Sequence, residues 1–347
     1  MKTIELLDGA LTIAWATDGD TGISGAGCSK DLRTAMRKAE AELSERVSLA
    51  AAERRSVARE ALADDAVLID DLAGLEGSTR WIRCSSPVLS NSGLSLQLSR
   101  EWVPSEAVVI DPAMSSSGTR RDFFPTTCGT GRSDTVEGAL SHGLREIFER
   151  VLIQKVWNGD LVDLEVAAPE DSTARLSAAN LELAHALSRH PVSVRFLEVG
   201  FRGIVSTICA ITDTTKTSTT FGAACRSSRR SAIEHSIHES LQVRLALSNL
   251  VDSGLPVAQH AKRLKEESAL QWSFMDSGRA TGQVEYVDHD AWSQIRLLGD
   301  LIGRKPKIVE VDRSDEFFTL KVIAPNSGVN SSERGEPMAS GIHYPLL

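Results

Sequence analysis

Two short segments carry the same chemistry-bearing residues at the same spacing. "ELSERV" at 42–47 and "EIFERV" at 146–151 each run Glu, two residues, Glu, Arg, Val. With Glu42 set at zero on a helix advancing about 100° per residue, Glu45 falls at about −60° and Arg46 at about +40°. The apolar Leu32, Met36, Ala39, Leu43 and Val47 fall at about 60–140° on the same helix. Glu146, Glu149 and Arg150 repeat that map, with Leu140, Leu144, Ile147 and Val151 spread over about 100–160°. Each helix therefore sets two carboxylates and a guanidinium at the boundary of its buried stripe.

Either helix alone is explained by an i,i+4 Glu–Arg pair, worth about 0.2–0.5 kcal/mol on an exposed face. The repetition points further. If the two faces converge, Glu42, Glu45, Glu146 and Glu149 supply the hard oxygen ligands that Mg²⁺ prefers, with phosphate oxygens completing the shell. Arg46 and Arg150 then meet phosphate charge. A third segment, "AIEHSIHESLQVRL" (232–245), puts Glu239 and Gln242 on one helix face. It also holds His235 and His238 at a metal-ligand spacing. No Cys or third His follows at ligand spacing, so this pair reads as bonded to Glu234 and Glu239 or facing solvent.

These residues need helices to carry them, and the chain supplies three long ones. Apolar periodicity predicts helices over about 31–63, 135–157 and 228–249, with shorter ones over about 173–189 and 292–302. An Asp-Gly turn splits two apolar runs in "TIELLDGALTIAWATD", a hairpin signal. Strands are expected at "VLID", "TRWIRCSS", "EAVVIDPA", "VSVRFLEV", "GIVSTICAITD", "TSTTFGAAC", "KIVEVDR" and "FFTLKVIAP". "GISGAGCSK" reads as a glycine-rich turn, and "SSSGTRRDFFPTTCGTGRSD" as a polar loop. Neither completes a P-loop or a dinucleotide fingerprint, although both precede helix starts that can bind anions. The order lacks the regular βαβ rhythm of a doubly wound fold, and no stretch has linker composition.

The 347 residues, 41% hydrophobic and 24% charged, suit an ordinary globular chain. A net charge of −9 and one short basic cluster (Arg226, Arg229, Arg230) argue against nucleic-acid binding. Five scattered cysteines without a CxxC pair argue against a disulfide framework or structural zinc. No signal peptide and no apolar run of about 20 residues is present, so a cytoplasmic protein without a membrane span is expected.

Three blocks in order resemble the YcaO family of ATP-dependent enzymes that modify peptide backbones. They are "GAGCSKDLRTAMRKAEAELSERVSL", "GTGRSDTVEGALSHGLREIFER" and "FGAACRSSRRSAIEHSIHESLQVRL", followed by the tail "KIVEVDRSDEFFTLKVIAPNSG". The resemblance runs over about 25–328. It implies an α/β fold of α+β type, with long helices packed on mixed and antiparallel sheets around a Mg-ATP site, in a single domain spanning 1–347. By the same resemblance Glu42, Glu45, Glu146 and Glu149 are Mg²⁺ ligands. Arg46, Asp134, His142, Arg150, Glu239, Gln242 and Arg244 touch ATP.

The chain departs from the family pattern at several positions. Lys38 stands where a serine is expected, Gly131 replaces a second serine, and Gly138 replaces a glutamate. His142 replaces a glutamine, and Asp134 stands where asparagine is frequent. The implied chemistry is activation of a backbone amide by ATP. Attack by a Cys, Ser or Thr side chain gives an azoline; external sulfide gives a thioamide, and an amine an amidine. The first motif begins near residue 25, so no separate leader-binding domain is expected. The implied partners are a precursor peptide, a leader-peptide-binding protein and, in some pathways, a dehydrogenase; a homodimer remains open.

Overall fold

Residues 1–69, 72, 78, 80–90, 93–109, 127–167, 176, 178, 180–215, 219–252 and 284–325 are described by the computed structural model. The expected loop over 115–134 lies largely outside these residues, as do the end of the expected strand "EAVVIDPA" and the C-terminal tail.

The described residues build three sheets. In the first, β1 (Lys2–Leu6), β2 (Leu11–Thr17) and β3 (Ser24–Ser29) run antiparallel in that order. The expected hairpin turn between β1 and β2 places Leu7, Asp8 and Gly9 at positive φ. In the second sheet, β9 (Glu165–Ala167), β10 (Val192–Phe201), β11 (Ile204–Asp213) and β12 (Thr219–Cys225) are antiparallel neighbours. In the third, the short β5 (Val67–Leu68) is followed in space by β7 (Gly93–Pro104), β6 (Arg80–Ser90), β13 (Lys307–Arg313), β14 (Phe318–Ile323) and β8 (Thr130–Ser133). The two-residue β4 (Val57–Ala58) pairs with β6, and β5 pairs parallel to β7.

Among the described residues, five helices pack on these sheets: α1 (Leu32–Ala51), α2 (Val136–Asn158), α3 (Leu181–Ser188), α4 (Arg229–Asp252) and α5 (Ala291–Ile302). β11 is buried along nearly its whole length, which suits its near-continuous apolar run. Leu197, Val199, Ile208 and Ala210 of this sheet join the α2 and α5 side chains in the largest core. Phe196, Cys209 and Ile211 alternate to the other face and join Ile233, Ile237 and Leu241 of α4. Val103, Val309, Val311 and Ile323 form a third core.

Several expectations needed correction. The first helix stops at Ala51 instead of running to residue 63, and 3₁₀ turns follow at Ala52–Arg55 and Arg59–Ala61. Tertiary contacts outcompete helix propensity there. Val57 pairs with Trp81, Arg80 bonds Ser56, and Arg55 donates to the carbonyls of Glu310 and Val311. Of the helix expected over 173–189, Leu181–Ser188 forms α3, capped by Asn180. Ser105–Ala107, inside the expected strand "EAVVIDPA", forms a 3₁₀ turn. β7 has no counterpart in the sequence reading.

The glycine-rich segments are strands, not turns. "GISGAGCSK" holds β3, and "GTGRSD" holds β8. Their glycines permit a helix backbone to lie directly on the strand. A Cβ at Gly25 would sit 2.3 Å from the Leu43 nitrogen, and one at Gly27 would sit 2.1 Å from the Ala35 oxygen. One at Gly131 would sit 2.0 Å from the Ala139 oxygen. The same closeness explains why Ala35 and Ala39 are buried on α1 opposite these glycines, while Leu32 is exposed.

Candidate active site

β3, β8 and β12 are the edge strands of their sheets nearest the three long helices, and each leads into one of them. β3 runs into α1, β8 into α2 and β12 into α4. The three units are built alike. Asp31, Thr135 and Ser228 cap the helices by accepting from the backbone N–H of Thr34, Gly138 and Ser231. Gly25, Gly129 and Gly222 precede Glu42, Glu146 and Glu239 by the same number of residues. In each unit this glutamate reaches back to its own strand. Glu42 accepts from the Ala26 N–H at 2.7 Å, Glu146 from Gly129 at 3.0 Å and Glu239 from Ala223 at 2.7 Å.

The physical reason lies in the edge. An unpaired strand N–H is costly when buried, and a carboxylate satisfies it with a charge-assisted bond. Each helix also touches the next unit's strand: α1 packs on β8, α2 on β12 and α4 on β3. The three units therefore close into a ring. Glu149 of α2 accepts from the Cys225 N–H of β12 at 3.2 Å, a bond across that closure.

The ring gathers the acids foreseen from the sequence. One helical turn holds Glu42, Glu146 and Glu239; the next residues inward are Glu45, Glu149 and Gln242. Burial pushes Glu45 up to about 8, and the charges of Glu146 and Glu42 add to that rise. Burial also pushes Glu149 up to about 8, with Glu239 adding to it, and raises Glu146. Glu42, Glu45, Glu146 and Glu239 nonetheless keep some solvent access. Groups crowded by protein yet open to water line a cleft. Among the described residues, no three His, Cys, Asp or Glu side chains are close enough to chelate a cation unaided. Ligand oxygens or water would have to complete a shell.

Cations balance the acids. Burial disfavours the Arg150 charge, but Glu149 and Glu239 outweigh it and hold the guanidinium protonated. Arg150 lies 3.8 Å from each of these carboxylates, and its Nε makes no hydrogen bond. Arg46 pairs with Glu42 and donates to the Ser24 carbonyl at 2.7 Å; its Nε is likewise unbonded. Lys321 of β14 is fully buried. Burial lowers its ammonium to about 8, against the opposing pull of Cys128, Glu146 and Glu45.

The other foreseen residues are placed more loosely. Asp134 is exposed at the β8–α2 turn and accepts from the Ser133 hydroxyl. Arg244 pairs with Asp213, and Gln242 is half-buried. His142 is open to solvent although protein surrounds it; burial, then Arg226 and Arg145, push its imidazole down to about 4. Lys321 and Arg226 were not foreseen as site residues. The equal glycine-to-glutamate spacing in the third unit was the available signal for Glu239 as the ring's third wall.

The sequence model of one family, "YcaO cyclodehydratase, ATP-ad Mg2+-binding", matches residues 26–325. The chain belongs to the YcaO family. Solved structures agree on the fold. "The structure of YcaO from Methanopyrus kandleri bound with AMPPCP and Mg2+" superposes with a TM-score of 0.62 at 14% identity, over 100% of this chain and 89% of that one. A chain of the "E. coli Microcin synthetase McbBCD complex" gives 0.63 at 13% identity, over 99% and 95%. A "Heterocyclase in complex with substrate and Cofactor" gives 0.58 at 15%, over 91% of this chain and 49% of that one. No curated protein sequence matches. ATP and Mg²⁺ are the cofactors of this YcaO chain, and the cleft fits them. Its desolvated carboxylates call for a cation, and the Arg46 and Arg150 guanidiniums stand beside them for phosphate charge.

Proposed function

We propose that this YcaO protein uses ATP to activate a backbone amide of a ribosomally made peptide, closing Cys, Ser or Thr side chains into azolines. The observation that carries the reading is the convergence of Glu42, Glu45, Glu146, Glu149 and Glu239 from three helices on one cleft. In this reading Glu42, Glu45, Glu146 and Glu149 hold Mg²⁺, while the Arg46 and Arg150 guanidiniums meet phosphate oxygens. Arg244, Gln242, His142 and Asp134 extend the contacts to the rest of the nucleotide. Bound Mg-ATP supplies the phosphoryl group that turns an amide oxygen into a leaving group.

The chain's own contribution is positioning and charge neutralisation. The three edge-strand N–H bonds fix one oxygen each of Glu42, Glu146 and Glu239, and Arg46 holds the other oxygen of Glu42. The partners in this reading are the precursor peptide and a leader-peptide-binding protein, with a dehydrogenase where azolines become azoles. Co-expression with the precursor peptide and the leader-binding protein tests it by mass spectrometry. Loss of one water per modified residue is expected. An oxygen-for-sulfur mass change would replace the azoline assignment with a thioamide.

A scaffold subunit within such a complex is the second reading, and two positions favour it. Gly131 has no room for a serine against the Ala139 carbonyl. A Cβ at Gly138 would meet the Ser133 and Thr135 hydroxyls at 2.4 and 2.9 Å. Absence of Mg-ATP binding in the presence of the partner would select this reading.

A further inference from the structure

Among the described residues, the sheet edges are guarded in different ways. Beside β3, β8 and β12 the N–H groups of Ala26, Gly129 and Ala223 are bonded by glutamates of the overlying helices. β1 carries Lys2 and Glu5, and β9 has three residues. Charge and shortness both discourage a further strand from pairing there. The exception is β7. Among the described residues, β5 pairs with it at Glu101 and Trp102 only, so residues 93–100 have β6 on one side and no strand on the other.

That open edge carries no charge. Residues 84–99 include no Asp, Glu, Lys or Arg, although 24% of the chain is charged. Leu94, Leu96 and Leu98 alternate with Ser95, Gln97 and Ser99 along the strand. Leu94 and Leu96 are half-buried and pack against the largest core. Leu98 lies on the same face and is 65% exposed, and Leu89, opposite Leu94 on β6, is 62% exposed. Beyond Leu98 the pairing with β6 shifts register between Arg83 and Ser85. The regular, uncharged stretch therefore ends where β5 begins to cover the strand.

We propose that residues 93–100 pair with the same strand of a second copy of this chain, antiparallel about a two-fold axis, so that the third sheet continues across a dimer. The strand is complementary to itself. With the axis at Leu96, Leu98 faces Leu94 of the second copy, and Ser95 faces Gln97 of the second copy. Leucine meets leucine and polar meets polar, as an isologous strand pair requires. Charge selects the same place. Each chain carries a net charge of −9, so two copies repel over their surfaces as a whole, and an uncharged strand lets them touch without setting like charges opposite. The second strand also covers Leu98 and takes up the N–H and C=O groups along the open edge.

The test is sedimentation velocity of the full chain over a wide range of concentration, with Leu98→Glu and, as a control, Val162→Glu at another exposed apolar residue. Wild type and Val162→Glu are expected to show the same monomer–dimer equilibrium. Leu98→Glu is expected to weaken it by about tenfold or more, because it sets a charge against Leu94 of the second copy. Hydrogen exchange at low and high protein concentration supplies the second measurement, and exchange in 94–99 is expected to slow as the dimer forms. A wild-type chain that stays monomeric overturns the proposal. So does a Leu98→Glu dimer as tight as wild type. Exchange in 94–99 that is equally slow at every concentration overturns it too, and assigns the cover of this edge to the chain itself.

Discussion

Glu45 and Glu149 are the residues whose chemistry most depends on what shares the cleft. Both carboxyls are pushed up to about 8 in the folded chain, from an ordinary 4.5, by burial and neighbouring acids. The folded state therefore holds protons that the unfolded state has released between those two values. Stability contributed by these groups is full below about 4.5 and is lost as pH rises through about 8. Thermal unfolding followed by circular dichroism should show the metal-free melting temperature falling from pH 6 to pH 8.5. Added Mg²⁺ should flatten that fall, because a cation replaces the protons. A melting temperature that rises over this range would contradict the placement of the two acids. All four acids of the repeated motif were legible from their spacing. Lys321 was not, because its meaning comes from helices distant in sequence, and one buried lysine looks like any other in a row of letters.

At the scale of the elements, the glycine strands decide how close the helices come. Gly27 has the α1 backbone within 2.1 Å of where its Cβ would be, whereas Gly19 has nothing within 4 Å. Gly27→Ala is expected to cost about 3 kcal/mol, the upper end of overpacking penalties, because the obstructing atoms are backbone. Gly19→Ala should be nearly neutral. Urea denaturation of the two variants checks this, and equal midpoints would contradict the close contact of α1 on β3. The long helices α2 and α4 and the shorter α5 were legible to within a few residues from apolar periodicity. The end of α1 was not, since strand pairing by Val57 overrides its continuation. β3 and β8 were hidden because glycine depresses strand propensity, and only the overlying helix reveals why glycine is needed.

On the scale of the whole molecule, three strand–helix units close on one cleft, so a ligand there must be felt by all three. Hydrogen exchange with and without Mg-ATP should show slowed exchange in 24–29, 129–133 and 219–225 together. Protection confined to one unit would contradict a shared site. The family's order of blocks was legible in the chain. The ring was not, because closure depends on which helix lies against which neighbouring strand. The central claim is that the glutamates on these helices form the Mg²⁺-binding wall of a nucleotide site. Calorimetric titration of Mg-ATP into wild type, Glu146→Gln and the exposed control Glu40→Gln tests it most directly. Glutamine can still accept the Gly129 N–H, so Glu146→Gln removes charge while keeping that bond. The account predicts saturable, Mg²⁺-dependent binding in wild type and Glu40→Gln, weakened by about tenfold or more in Glu146→Gln. Equal affinity in all three proteins would contradict it.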